Sequence, residues 1–133
     1  MNKREIGAMG ETAVCRYLEE RGYTILERNF TAARVGEIDI IASKGEELHF
    51  VEVKSRKIGS MVSGVESVTL RKQKRIIATT YYYFKRYDMN EGDWYIRYDI
   101  ATVNLWKGRV IDIDYLEAAF DETDIDLSDV SWY

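Results

Sequence analysis

The chain has 133 residues, a length expected to form one domain with its own core. Hydrophobic residues at 46% and charged residues at 32% are ordinary for a globular protein, and no apolar run reaches the ~18 residues that a membrane span requires. The net charge of −4 argues against indiscriminate binding of nucleic acid, and one cysteine, Cys15, can form neither an internal disulfide nor a zinc-type Cys/His cluster. The charged start, Met1 to Gly7, has no apolar segment behind it, so neither a signal peptide nor a membrane partner is expected, and residence in the cytoplasm is the default.

Ile6, Met9, Ala13, Val14, Tyr17 and Leu18 recur at helical spacing, which predicts a helix over 3–21 closed by Gly22. Strand formers fill 23–31 and, after a loop around Ala32 to Val35, Gly36 to Ser43 predicts a second strand. Glu47 to Arg56 is the third, with Lys44-Gly45-Glu46 as the turn between them. Gly59 to Gly64 reads as a loop, and Ser67 is a suitable N-cap for a helix in which Leu70, Gln73, Ile77, Tyr81 and Phe84 mark the apolar stripe as far as Tyr87. A polar break at Asp88 to Asp93 precedes a hairpin of Tyr95 to Trp106 and Arg109 to Asp114, turning at Lys107-Gly108. Tyr115 to Phe120 reads as a short helix, and the acidic segment 121–133 as a loosely held tail beyond a single domain of residues 1–120. The order α-β-β-β-α-β-β defines an α+β class with a mixed β-sheet flanked by helices, a three-layer arrangement.

Charge is distributed unevenly. Between Lys54 and Arg86 nine basic residues face one acid, Glu66, whereas from Asp112 to Tyr133 there are eight acids and no base. A basic middle attracts a polyanion even in an acidic chain, because phosphate attraction is local and screened within about 10 Å. Arg71 to Arg75 also read as the solvated face of a helix, the reading that composition alone favours.

Strand periodicity carries the chemistry. Side chains two apart share a face, so Glu37, Asp39 and Ile41 lie on one side of the second strand and Ile38, Ile40 and Ala42 on the other. In the third strand Leu48, Phe50, Glu52 and Lys54 share a face, opposite His49, Val51, Val53 and Ser55. Closing the hairpin with Lys44 opposite Glu47 sets Asp39 opposite Glu52 and Glu37 opposite Lys54. Two facing carboxylates need a positive charge between them, and Mg²⁺ (or Mn²⁺), a hard cation held by one or two carboxylates plus a substrate phosphate, fits the need. The Val53 carbonyl offers a further oxygen ligand, and Lys54 could hold the attacking water or balance charge on the phosphate. An amphipathic sheet edge with solvent-facing charges has the same pattern, and the residues alone leave both readings open.

These residues also resemble a known family. Gly36-Glu37-Ile38-Asp39-Ile40-Ile41-Ala42 followed by Phe50-Val51-Glu52-Val53-Lys54-Ser55-Arg56 is similar to the YraN family of bacterial proteins. The likeness extends to Gly7, Gly10-Glu11, Ala13, Tyr17-Leu18, Gly22-Tyr23, Arg28-Asn29 and Arg97-Tyr98-Asp99, covering roughly 7 to 110. That family is similar to the PD-(D/E)xK nucleases and to archaeal Holliday-junction resolvases. The resemblance implies a restriction-endonuclease-like core in which Asp39, Glu52 and Lys54 are the metal-binding and catalytic residues of an endonuclease acting on DNA. It favours branched DNA, and a homodimer, since resolvases act as symmetric pairs. Two departures stand out: Ile38 replaces the proline of the superfamily's name, and Ser55 stands where the family usually has threonine.

Further candidates follow. Glu11, at the edge of the first helix's stripe, either faces the site as a catalytic carboxylate, as the related resolvases imply, or is an exposed helix acid. Arg56, Lys57, Arg71, Lys72 and Arg75 are candidate phosphate contacts, with Gln73 as either another contact or a boundary amide. Of Tyr81, Tyr82 and Tyr83, spaced about 100° apart, one could stack on a base, although core and boundary packing also accounts for them. Asp99 reads as structural, His49 as a packed or surface imidazole, and Cys15 as a small core residue. The rival functions are a nucleic-acid-binding module without turnover, and a protein-interaction protein that uses its acidic tail.

Overall fold

The computed structural model describes residues 1–59, 68–123 and 125–128. Its elements are α1 (Lys3–Glu20), β1 (Thr24–Ala32), β2 (Gly36–Lys44), β3 (Glu47–Lys57), α2 (Leu70–Arg86), β4 (Tyr95–Trp106) and β5 (Arg109–Phe120), with a 3-10 turn at Glu91–Asp93. The strands form one five-stranded mixed sheet in the order β1-β2-β3-β4-β5. Among the described residues β3–β4 is the one parallel pairing. A parallel pair needs a long crossover, and the segment carrying α2 supplies it.

The sheet buries both faces because each face receives one helix. On one side Val14, Cys15 and Leu18 of α1 pack against Ile40, Ala42, Val51, Ala101 and Val103. On the other, Ile76, Ile77, Tyr83 and Phe84 of α2 pack with Phe30, Ile41, Leu48, Phe50 and Tyr98. Tyr81 and Tyr82 are only partly buried against this second core. The α+β class and the element order are therefore as the sequence predicts.

Several local features differ from the sequence-based expectation. The cap of α2 is Thr69, whose side chain accepts from the Lys72 amide; Ser67 and most of the 59–64 loop lie outside the described residues. Residues 115–120 are not helical. They continue β5 as one strand along β4, through a bulge at Ala118 (φ 51°) where the register shifts between Tyr98 and Ile100. Ile38 does not follow Ile40 and Ala42 onto the α1 side but joins the α2-side core with its partner Phe30. Between the paired levels Arg28–Ile40 and Phe30–Ile38 stand Asn29 and Asp39, and Asn29 has a left-handed φ of 54°. That residue breaks strict alternation locally, as bulges do. Among the described residues beyond β5, Ile125 and Leu127 pack on the α2-side core and Glu122 accepts a hydrogen bond from Tyr81.

Candidate active site

The β2–β3 hairpin closes on Lys44 opposite Glu47 and remains paired as far as Ile40 opposite Val51. Beyond that level the ladder ends, so Asp39 and Glu52 are not a ladder pair and Glu37 does not meet Lys54. Instead the Val53 amide donates to Asp39 Oδ2 at 2.8 Å. The two strands part where their carboxylates stand, which opens space beside them.

Asp39, Glu52 and Lys72 line two adjoining grooves. The first, of about 720 Å³, adds Gly36, Glu37, Arg71 and Arg75. The second, of about 450 Å³, adds Glu11, Val53, Lys54, Arg56 and Lys57. Glu52 is 4% exposed, and its Oε1 lies 2.6 Å from Lys72 Nζ and 3.6 Å from Lys54 Nζ. Burial, then the charge of Glu52, push the Asp39 carboxyl up to about 8, against the Val53 hydrogen bond. Burial and the neighbouring ammonium of Lys72 hold Lys54 below the usual lysine range. Burial opposes the charge on Lys72 as well, but its bonds to Glu52 and Lys54 raise it overall.

Glu11 turns toward this site. It lines the second groove, adds to the negative field on Asp39, and lies 3.7 Å from Arg28. The approach of α1 to β3 depends on Gly10, where a Cβ would stand 2.5 Å from Ser55 Oγ. Arg71 and Arg75 are exposed along the first groove, with Arg75 donating to the Val35 carbonyl. Arg56 donates to Asn104 Oδ1 at 2.7 Å, so its guanidinium is partly engaged within the fold. Gln73 stands apart: its side chain donates to the Val68 carbonyl, and it lines neither groove.

Sequence reasoning placed Lys72 among phosphate contacts and missed its ion pair with Glu52. The i, i+2 pattern of the hairpin finds Glu52 and Lys54, but no local signal tells which helical turn will cross above them. His49 and Asp99 are both fully buried and bonded to each other, Nδ1 to Oδ2 at 2.5 Å. The packed reading of His49 and the structural reading of Asp99 describe that pair.

The donor set suits a divalent cation. A buried carboxylate and a mostly buried one stand together, the protonation of Asp39 is disturbed by the charge of Glu52, and two lysines already lie against Glu52. Fold and site together define a mixed-sheet α+β domain, with an Asp and a Glu-x-Lys gathered where a central hairpin opens.

That class can be placed among known sequences. Residues 10–103 match the model of "Uncharacterised protein family UPF0102", the YraN family, and the chain belongs to it. A UPF0102 protein of Dictyoglomus turgidum is 43% identical over 121 residues, covering 90% of this chain and all of that protein. One from Chloroflexus aurantiacus is 38% identical over 120 residues, or 90% and 96% of the two chains. Another, from Clostridium perfringens, is 41% identical over 121 residues, or 88% and 94%. Among the described residues no helix is long and apolar enough to cross a membrane.

Proposed function

We propose that this chain is a metal-dependent endonuclease of the PD-(D/E)xK type, hydrolysing DNA phosphodiester bonds with Mg²⁺ or Mn²⁺ and favouring branched or otherwise structured DNA. The observation that carries this reading is the placement of Asp39, Glu52 and Lys54 together on open grooves bordered by Arg71, Lys72 and Arg75. Asp39 and Glu52 are the ligands that would hold the cation, with the Val53 carbonyl as a third oxygen donor. When bound, the ion would polarise the phosphate and lower the pKa of a water.

The chain's own residues supply the rest. Lys54, its ammonium already disfavoured by burial and by Lys72, is the group available to hold or deprotonate the attacking water. Lys72, paired with Glu52 at 2.6 Å, would be available to meet a phosphate oxygen if Glu52 held a cation. Arg71 and Arg75 would track the backbone along the first groove, and Lys57 along the second, where Arg56 keeps one donor on Asn104.

The test is a cleavage assay on junction, flap, single-stranded and linear DNA with Mg²⁺ or Mn²⁺. Removing a charge-stabilising group should slow cleavage by about 100-fold or more in Asp39→Ala and Lys54→Ala. Equal cleavage by the unaltered chain and both variants would remove the assignment. DNA binding that persists in EDTA, without cutting under any condition, would favour the non-turnover module.

A further inference from the structure

A second cluster of titratable side chains lies on the α1 side of the sheet, toward the start of β3 and away from Asp39 and Glu52. Glu47 and His49 stand two residues apart on β3, and Glu117 reaches them from β5. One potential ligand atom from each, the imidazole and two carboxylates, falls within 4.8 Å of the others. We propose that Glu47, His49 and Glu117 form a binding site for a borderline divalent metal of the zinc class, separate from the nuclease-type site.

The orientation of His49 carries the argument. Its ring is fully buried, and Nδ1 meets the equally buried Asp99 at 2.5 Å. A neutral imidazole that donates Nδ1–H to a carboxylate presents the lone pair of Nε2, and this is the arrangement by which metal-ligating histidines are held. Here Nε2 points outward and its N–H donates to Glu47 Oε1 at 2.9 Å. Burial opposes the ring's charge, but Asp99 and Glu47 raise its proton affinity overall, so a metal would enter by displacing the Nε2 proton. Asp99 is fixed in turn by the Tyr115 hydroxyl at 2.5 Å and the Ala118 amide at 2.9 Å. Tyr23 packs edge-on against the imidazole, with ring centroids 5.0 Å apart.

Glu117 is brought in by the β5 bulge. Between the pairs Tyr98–Phe120 and Ile100–Leu116, three residues of β5 stand against Asp99 alone. Ala118 holds a left-handed φ of 51° there, a conformation that alanine does not favour. A bulge that re-aims a side chain is a common device beside functional sites. Glu117 is exposed and Glu47 partly so, which leaves an entry path and room for water as further ligand.

Chemistry selects the ion class. One imidazole nitrogen with two carboxylate oxygens suits Zn²⁺ better than Mg²⁺, which prefers oxygen alone. Bonds of about 2.0–2.2 Å place ligand atoms of a tetrahedral site about 3.4 Å apart, and small rotations of the two flexible glutamates close the difference.

The experiment is zinc titration of the untagged chain by calorimetry, with the ¹⁵N resonances of its single histidine followed in parallel. The expected result is one Zn²⁺ per chain, with Nε2 shifting and Nδ1 remaining protonated. Asp39→Asn should retain this binding, which separates it from the nuclease-type site. Glu117→Gln, an exposed change that leaves the core intact, should weaken it at least tenfold, and Asp99→Asn by about 10–100-fold. Absence of zinc binding, a silent Nε2, loss of binding in Asp39→Asn or unchanged affinity in Glu117→Gln would each overturn the site. In that event the Glu47–His49 contact is a hydrogen-bonded ion pair and nothing more.

Discussion

Asp39 binds its proton more tightly in the folded chain than in the unfolded one, its value rising from 3.8 to about 8 through burial and the charge of Glu52. The sign of the linkage follows. The stability contributed by the protonated form is fully present below about pH 4 and is lost as the pH rises toward 8. Each unit is worth about 1.4 kcal/mol, but screening by solvent and by the nearby lysines reduces the total to roughly 2–3 kcal/mol. Asp39→Asn, which cannot ionise, should match the unaltered chain at pH 4 and exceed it by about 2 kcal/mol at pH 8 in urea unfolding. A difference that does not change with pH would refute this account. Mg²⁺ at pH 8 should narrow the gap, since a cation between Asp39 and Glu52 offsets the same repulsion. At this scale the hairpin's turn and its pairing from Lys44–Glu47 to Ile40–Val51 were legible, being local, whereas the opposition of Asp39 to Glu52 expected from the same period is not formed. The sequence left the Lys72–Glu52 ion pair and the His49–Asp99 bond unread, because each joins residues far apart along the chain.

Elements owe their positions to a few close approaches. Gly36 begins β2 beneath α2, where a Cβ would lie 2.7 Å from Thr79 Oγ1 and 3.3 Å from the Arg75 carbonyl. Thr79 cannot simply rotate away, since its hydroxyl donates to that same carbonyl at 2.6 Å. Gly36→Ala should therefore cost about 1–3 kcal/mol by overpacking. Thermal unfolding of Gly36→Ala, Thr79→Ala and the double variant checks this. The double should recover part of the loss, and simple additivity of the two changes would show that the contact is not the cause. The limits of sequence reading appear at the same scale. Tyr115 to Phe120 contains Leu, Glu and two Ala, all compatible with a helix, yet it is a strand because pairing with β4 overrides that weak preference. Ile38 likewise follows the period of β2 only up to the level of Asn29, whose left-handed backbone no alternation rule anticipates.

Across the whole molecule, the acidic end and the basic helix are neighbours. Glu122 meets Tyr81 on α2, Lys74 is among the charges acting on Asp126, and Ile125 and Leu127 lie on the α2-side core. Deleting residues 121–133 removes five acids and no base, so the net charge passes from −4 to +1. DNA affinity measured by fluorescence anisotropy should rise about threefold or more at low salt, and the gain should fade as salt increases. The same deletion should lower stability by about 1–3 kcal/mol through lost apolar burial. Unchanged affinity at every salt concentration would show that the tail does not oppose polyanion binding.

The parallel joining of β3 to β4 also shapes the route by which the chain folds. β1-β2-β3 is a meander and β4-β5 a hairpin, so each half can form from contacts between neighbours in the chain. The seam between them unites partners such as His49 and Asp99, 50 positions apart, and long loops are slow to close. Docking of the two halves is thus the step expected to limit the folding rate, and the buried imidazole–carboxylate contact belongs to that late event.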